Sequence, residues 1–294
     1  MSSGNLTADR RFDYARSLRA EGDHRAAADV IGQALELAPD WAEARFALAE
    51  ALAESGDRAG AEAAYRAYLA RDSADSMGAR LRLALLDATT PSALPEAYVR
   101  RLFDEYAPRF DAALVERLQY RAPEKLRAAL ELAAPDRRFA RALDLGCGTG
   151  LAGAAIRDRA DRLEGVDLST AMVAVAQRKT IYDHLAAGEM VSYVIAAPLP
   201  FDLVLAADVL VYVGDLAPLF AAVAARMTAG GLFAFTLQRH DGAGFVLGEE
   251  HRYRHSTAYL RDVAGAFEIV TLTDDVFRRE KNVDVPGLLV VLRR

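Results

Sequence analysis

The chain has 294 residues, enough for about two domains that each bury a core of their own. Apolar residues make up 52% and charged residues 27%, which excludes a disordered chain, and a net charge of −6 argues against nucleic acid as the partner. A single cysteine, Cys147, excludes an internal disulfide and a multi-cysteine metal site; with no stretch of 18 apolar residues and no apolar core in MSSGNLTADRRFDY, the expectation is a cytoplasmic protein that does not engage a membrane.

Residues 8 to 75 repeat with a period of 34 residues: Ala15/Ala49, Leu18/Leu52, Gly22/Gly56, Asp23/Asp57, Ala27/Ala61, Ile31/Tyr65 and Leu35/Leu69 pair across it. Each unit runs as a helical pattern to a Gly-Asp turn and then into a second helix, so the unit is a helical hairpin. Small residues at 15, 27, 49 and 61 let the helices approach closely, and larger apolar partners fill the layer between them. The small residues, the Gly turn and the late Pro39 resemble the tetratricopeptide repeat, from which the second copy departs with Tyr68 for Ala34 and Ser73 for Pro39. A partial third unit, SMGARLRLALLDATTP, is expected to cap the stack. Arg11, Trp41 and Arg45 are candidates for a short concave surface facing a peptide or protein partner, the alternative being an internal packing module or dimer contact. This helical domain is assigned to residues 1–92.

A connecting stretch, 93–136, has apolar residues at helical spacing at Val99, Leu102, Phe103 and Tyr106 and again at Leu114 and Leu118. Its aromatic residues Phe103, Tyr106 and Phe110 either form a lid over a neighbouring pocket or bury one helix face.

From 141 onward strand-like and helix-like segments alternate, which predicts an α/β domain with a largely parallel sheet covered by helices. The segments are RALDLG, LEGVDLS, a third strand near His184–Gly188, FDLVLAADVLVY, GLFAFTLQ, FEIVTLTD and GLLVVLRR, seven in all. No helix separates the last two, so one of them is expected to run antiparallel. RALDLGCGTGL ends an apolar strand in glycines at 146, 148 and 150, where bare peptide lets a ligand approach within contact distance. In such sheets the ligand lies at the carboxyl ends of the strands, where the strand order reverses. Asp167 ends the second strand 17 residues after Gly150, the place from which a carboxylate accepts from a ribose diol. A nucleoside is therefore the expected ligand.

A dinucleotide fingerprint would put Gly or Ala at 151, where Leu151 stands, and no Tyr-x-x-x-Lys or Gly-Lys-Ser/Thr occurs, which disfavours an oxidoreductase or a phosphate loop. The motifs LDLGCGTG, GVDLS and FDLVLAADVLVYV resemble those of class I S-adenosylmethionine-dependent methyltransferases over residues 141 to about 236. The stretch LFDEYAPRFDAALVERLQYRAP is similar to one bacterial family of methyltransferases with N-terminal tetratricopeptide repeats. The expected architecture is thus a seven-stranded Rossmann-like sheet at 137–294 behind the repeats, binding S-adenosyl-L-methionine.

The resemblance implies roles for particular residues. Gly146, Cys147, Gly148 and Gly150 pass the methionine part, Asp144 supports that loop, and Asp167 holds the ribose hydroxyls. Leu168 or Met172 lies on the adenine, Glu189 accepts from the adenine amino group where the family more often has Asp, and Tyr106 closes over the cofactor. Asp208 faces the methionine ammonium or the acceptor, with Tyr212 beside it. The loop 238–256 carries His240, His251 and His255, of which His240 and His255 are candidate bases. Their spacing gives no metal site. Cys147 is read as a small filler of the loop or as a reactive thiol. No Asn/Asp-Pro-Pro-Tyr follows the fourth strand, which disfavours an amide or exocyclic amine as acceptor. The expected activity is methyl transfer (class 2.1.1) to O or N of a small-molecule or protein substrate. The alternative is an interaction module whose α/β half binds the cofactor without turnover.

Overall fold

The structure, a computed structural model, describes residues 2–112, 119–280 and 283–294, so the spacing read at Leu114 and Leu118 lies outside the described residues. The chain divides into two units, residues 1–89 with 95–98 and residues 90–94 with 99–294.

In the first unit five helices follow the repeat: α1 (Leu6–Ala20), α2 (His24–Leu37), α3 (Ala42–Glu54), α4 (Arg58–Leu69) and α5 (Ala79–Leu86). Gly22 and Gly56 turn the chain at φ +87° and +86°, in the left-handed region that favours glycine. The aspartates that follow cap the next helices, Asp23 accepting from Ala26 N at 3.0 Å and Asp57 from Gly60 N at 2.9 Å. Ala15, Ala27, Ala49 and Ala61 are fully buried, as close helix approach requires. The departure at Tyr68 has a local reason: its hydroxyl donates to Asp72 at 2.5 Å and accepts from Met77 N at 3.0 Å, tying down the turn before α5. The proposed groove residues are committed inside the repeats. Trp41 lies 4.6 Å from the Phe12 ring, Arg11 donates to Gln33 O, and Arg45 donates to Pro39 O.

In the second unit the strands are β1 (Phe139–Leu145), β2 (Ala160–Asp167), β3 (His184–Ala187), β4 (Phe201–Ala206), β5 (Met227–Gln238), β6 (Phe245–Leu247), β7 (Tyr253–His255), β8 (Glu268–Glu280) and β9 (Val283–Arg293). Among the described residues seven form one sheet in the order β3-β2-β1-β4-β5-β9-β8. The first five are parallel, and β9 runs antiparallel to both β5 and β8. Ala142 on β1 is in register with Leu163 of β2 and Leu203 of β4, so the order reverses about β1. Leu143, Leu145, Val204, Phe233 and Phe235 are buried in the layer under one face, and Leu126, Leu130, Phe139 and Leu163 under the other. Three local expectations change. The strand read as running to Tyr212 ends at Ala206 and is followed by a single turn at Leu210–Tyr212. A helix at Met190–Ala196, unread in the sequence, connects β3 to β4, and the loop 238–256 contains the β6–β7 hairpin.

Candidate functional site

The glycine loop leaves the carboxyl end of β1 at the reversal point. Gly146, Gly148 and Gly150 hold φ values of +62°, +53° and +94°. At Gly146 close packing adds a second demand, since a Cβ there would stand 2.2 Å from Val209 Cγ2. Cys147 N donates to Val166 O at 3.0 Å, and its thiol is buried and pushed well above its ordinary pKa by burial and by the charges of Asp144 and Asp167. That geometry supports the filler reading over a reactive thiolate.

Two carboxylates flank the loop. Asp144, buried on β1, accepts from the Tyr182 hydroxyl at 2.6 Å. Burial pushes its pKa up to about 7, the Tyr182 hydrogen bond opposes the shift, and the neighbouring Asp167 adds to it. Asp167 ends β2 and accepts from Gly148 N at 2.9 Å and Ser169 N at 2.8 Å, while burial raises its pKa. A carboxylate oxygen has two lone pairs, so each oxygen of Asp167 retains capacity for a hydroxyl after its backbone bond. Met172 is fully buried behind Ser169, and Leu168 is half-buried, its carbonyl accepting from Arg100 Nε at 3.3 Å. Glu189 caps the helix Met190–Ala196, its oxygens accepting from Val191 N and Ser192 N, both at 2.7 Å.

The segment 99–112 docks against this loop. Asp104 accepts from Ser169 Oγ at 2.6 Å and from Ala171 N at 3.1 Å, at the start of the helix Thr170–Arg178. Asp111 accepts from Lys179 at 2.6 Å and from the Thr149 hydroxyl. The Phe110 ring faces Gly148, where a Cβ would meet it at 3.7 Å, and Tyr106 packs edge-on against Phe110 at 5.5 Å. Phe103 continues the aromatic cluster to Tyr212 at 5.1 Å. Tyr106 thus reaches the glycine loop through Phe110.

Beyond β4, Asp208 takes φ +54°, and its N donates to Thr236 Oγ1 at 2.8 Å. Its carboxylate is ion-paired with Arg278 of β8, a guanidinium only 4% exposed. Tyr212 is half-buried next to Phe103, and its hydroxyl pKa is raised first by burial, opposed by Arg252 and added to by Asp208. Tyr120 belongs to the same cluster: Arg121 N donates to Phe277 O at 2.8 Å, and the Tyr120 hydroxyl is pushed well up by burial and then by Asp208 and Asp144.

The histidines of the loop after β5 are held by backbone groups. His255 is fully buried, its Nε2 donates to Gly214 O at 2.9 Å, and burial lowers its pKa to about 4. It stacks on Tyr259 and props the β6–β7 hairpin, so its geometry disfavours the role of base. His240 uses both ring nitrogens, Nδ1 accepting from Gly242 N at 2.9 Å and Nε2 facing Gly244 O at 3.2 Å. His251 N closes a turn onto Gly248 O. No group of three or more metal-ligating side chains occurs among the described residues.

The fold therefore brings Asp144, the three glycines, Asp167 and Asp208 to the carboxyl edge of the parallel strands, with His240 and His255 in the loop that follows β5 and their ring nitrogens engaged by backbone groups. Sequence reasoning missed Asp104, Asp111, Tyr120, Tyr182 and Arg278. Tyr182 lies over Gly153 and Gly165, where a Cβ would come within 2.3 Å of its hydroxyl and 3.0 Å of its ring, respectively. Those two glycines were the available signal for a large neighbour.

Residues 143–233 match the family model described as a methyltransferase domain, and residues 18–85 match a tetratricopeptide repeat. The malonyl-[acyl-carrier protein] O-methyltransferase of Enterobacter lignolyticus (strain SCF1) is 32% identical over 143 residues, 49% of this chain and 54% of that protein. The chain thus spans about half the length of that curated relative. The crystal structure of the [4+2]-cyclase SpnF superposes with a TM-score of 0.54 at 17% identity, covering 70% of this chain and 98% of the other, a likeness of fold. A methyltransferase from Clostridium acetobutylicum ATCC 824 described as S-adenosylmethionine-dependent gives a TM-score of 0.49 at 17% identity, over 65% of this chain and 98% of that one. The chain carries a methyltransferase domain preceded by tetratricopeptide repeats.

Proposed function

From a methyltransferase domain behind a repeat unit, we propose that this protein transfers a methyl group from S-adenosylmethionine to an oxygen or nitrogen of a small-molecule or protein acceptor in the cytoplasm. The observation that carries the reading is the pairing of the left-handed glycine loop with Asp167, whose half-buried carboxylate is aligned by Gly148 N and Ser169 N. The residues fit an adenosyl sulfonium. The cradle at Gly146 tolerates no side chain, and Asp104, Asp144, Asp167 and Asp208 collect carboxylates where a cationic ligand would lie. The cofactor supplies an electrophilic methyl group that leaves sulfur with no proton transfer of its own.

The chain's residues do the positioning. Asp167 holds the ribose hydroxyls, Gly146 and Gly148 expose peptide to the methionine part, and Leu168 and Met172 line the base. Glu189 accepts from the adenine amino group while keeping its cap. The segment 99–112 excludes water through Phe110 and Tyr106 and serves as a lid of the 137–294 domain. Desolvation matters in such a transfer because charge is lost on approaching the transition state. Residues 1–92 serve a protein partner or a protein acceptor.

The test is calorimetry with S-adenosylhomocysteine followed by incubation with labelled methyl donor and a cell lysate. Uptake together with label transferred into an acceptor supports the enzyme. Fold alone does not fix the reaction, since the same fold occurs in a [4+2]-cyclase, and the second reading is a repeat interaction module whose α/β half binds the cofactor without methyl transfer. Uptake without label transfer selects that reading, and absence of uptake overturns both.

A further inference from the structure

Four carboxyl groups stand around the glycine loop, and their charges are not answered alike. Asp208 is ion-paired with Arg278. Asp104 accepts from Ser169 Oγ and Ala171 N, and Asp167 accepts from Gly148 N and Ser169 N. Asp144 is 1% exposed, accepts from the Tyr182 hydroxyl on Oδ2, and finds no hydrogen-bond donor for Oδ1 among the described residues. The groups that face it are Tyr182 from the segment before β3, Asp167 from β2, the Cys147 thiol and Gly153 N from the loop and the helix after it, and Tyr120 from the segment before Ala122–Ala133. None of these side chains is a cation. A buried carboxyl that lacks both a counter-charge and a donor for one oxygen keeps its proton instead of paying for the charge.

The packing holds Asp144 ready to lose that proton. Tyr182 fits against Gly153 and Gly165, where a Cβ would stand 2.3 Å from its hydroxyl and 3.0 Å from its ring, so glycine at both positions keeps the hydroxyl on the carboxyl. That hydrogen bond and Gly153 N favour the anion, while burial and the neighbouring Asp167 oppose it and set the balance at a pKa of about 7. A modest positive charge settling over the loop is enough to tip it. S-adenosylmethionine carries an ammonium and a sulfonium, and its demethylated product carries the ammonium.

Resting on the methyltransferase reading, we infer that Asp144 and Tyr182 form a proton-coupled positioning pair: Asp144 gives up its proton to solvent when the cofactor's cation settles over the glycine loop, and the carboxylate, held by Tyr182, becomes the counter-charge. Because the free protein holds the proton and the complex does not, affinity falls as pH drops below about 7, by up to about tenfold per pH unit, and flattens above it.

The experiment is calorimetry of the full chain with S-adenosylhomocysteine between about pH 6 and pH 8, each point in two buffers of different ionisation enthalpy, so that the difference in heat counts the protons released. About half a proton or more should leave per ligand bound near pH 6.5, and almost none near pH 8. Methylthioadenosine, which keeps the nucleoside and lacks the ammonium, should release almost none at any pH. Asp144→Asn keeps an oxygen for Tyr182 and should bind without the release. Tyr182→Phe removes a hydrogen bond that favours the anion and should move the release to higher pH by about one unit. A merely structural pair would change stability in these variants and give no proton count in the parent. No release by the parent, equal release with methylthioadenosine, release that persists in Asp144→Asn, or an unmoved profile in Tyr182→Phe overturns the inference and leaves the methyltransferase reading standing. Should Asp144→Asn fail to fold, the parent's count and the Tyr182→Phe profile still decide. If S-adenosylhomocysteine binds at no pH, the methyltransferase reading falls first and the inference with it.

Discussion

The hydroxyl of Tyr182 donates to Asp144 at 2.6 Å beneath the glycine loop, joining the segment before β3 to the end of β1. Burial holds the Asp144 carboxyl at about 7, against an ordinary value of 3.8. A carboxyl whose pKa is raised on folding contributes stability that is fully present below its unfolded value and is lost as pH rises through its folded value. Between about pH 4 and 7 the native state binds the extra proton, so this group makes stability fall as pH rises, by up to about 4 kcal/mol. Asp144→Asn should remove that slope. Urea denaturation at several pH values checks it, and a variant with the same dependence as the parent contradicts the assignment.

His255 acts in the opposite direction. Its pKa falls from 6.5 to about 4 on folding, so its contribution is present above the unfolded value and is lost as pH falls through the folded one. Over about pH 6.5 to 4 that amounts to roughly 3 kcal/mol. His255→Phe should flatten this acid limb. In a transfer assay the same variant should keep the acid limb of the parent's pH–rate profile, and loss of that limb would restore His255 as a base.

At Gly146 both the backbone and the packing forbid a side chain. Gly146→Ala meets Val209 Cγ2 at 2.2 Å from a residue at φ +62°. The combined strain and overpacking should destabilise by about 2–5 kcal/mol and abolish S-adenosylhomocysteine uptake. Adding Val209→Ala should recover part of the stability in thermal denaturation, and if it recovers none the contact is not the cause.

Asp167 and Glu189 should separate in calorimetry. Asp167→Ala removes an acceptor proposed to hold two ribose hydroxyls, and affinity should drop on the order of 100-fold. Glu189→Gln keeps an oxygen acceptor for the cap and the base, and should weaken binding by less than about tenfold. The reverse order of sensitivity would move the ribose site off β2.

The docked segment makes a kinetic prediction. Asp104→Ala strips acceptors from Ser169 Oγ and Ala171 N, and Asp111→Ala strips them from Thr149 and Lys179. Each should speed release of S-adenosylhomocysteine by about tenfold in stopped-flow displacement, as expected for the loss of a charge-assisted hydrogen bond. Unchanged release would mean that 99–112 is not a lid.

Local patterns in the sequence determined much of this protein by themselves. The 34-residue period set the paired helices, because Gly22 and Gly56 need left-handed backbone and Asp23 and Asp57 cap α2 and α4, all within a few residues. Alternation of apolar strands and helices set the parallel sheet, and the glycines of the loop with Asp167 marked the carboxyl edge where its order reverses, because backbone freedom and strand ends are read within a short window. Only the tertiary structure decided which side chains meet there. Arg278 reaches Asp208 across 70 residues of sequence, Tyr182 reaches Asp144 across 38, and Asp104 reaches Ser169 across 65, contacts that no local periodicity encodes. The same distance effect set the surroundings of His255: its loop looked open in sequence, but pairing of β6 with β7 buried the ring, and burial disfavours its charged form.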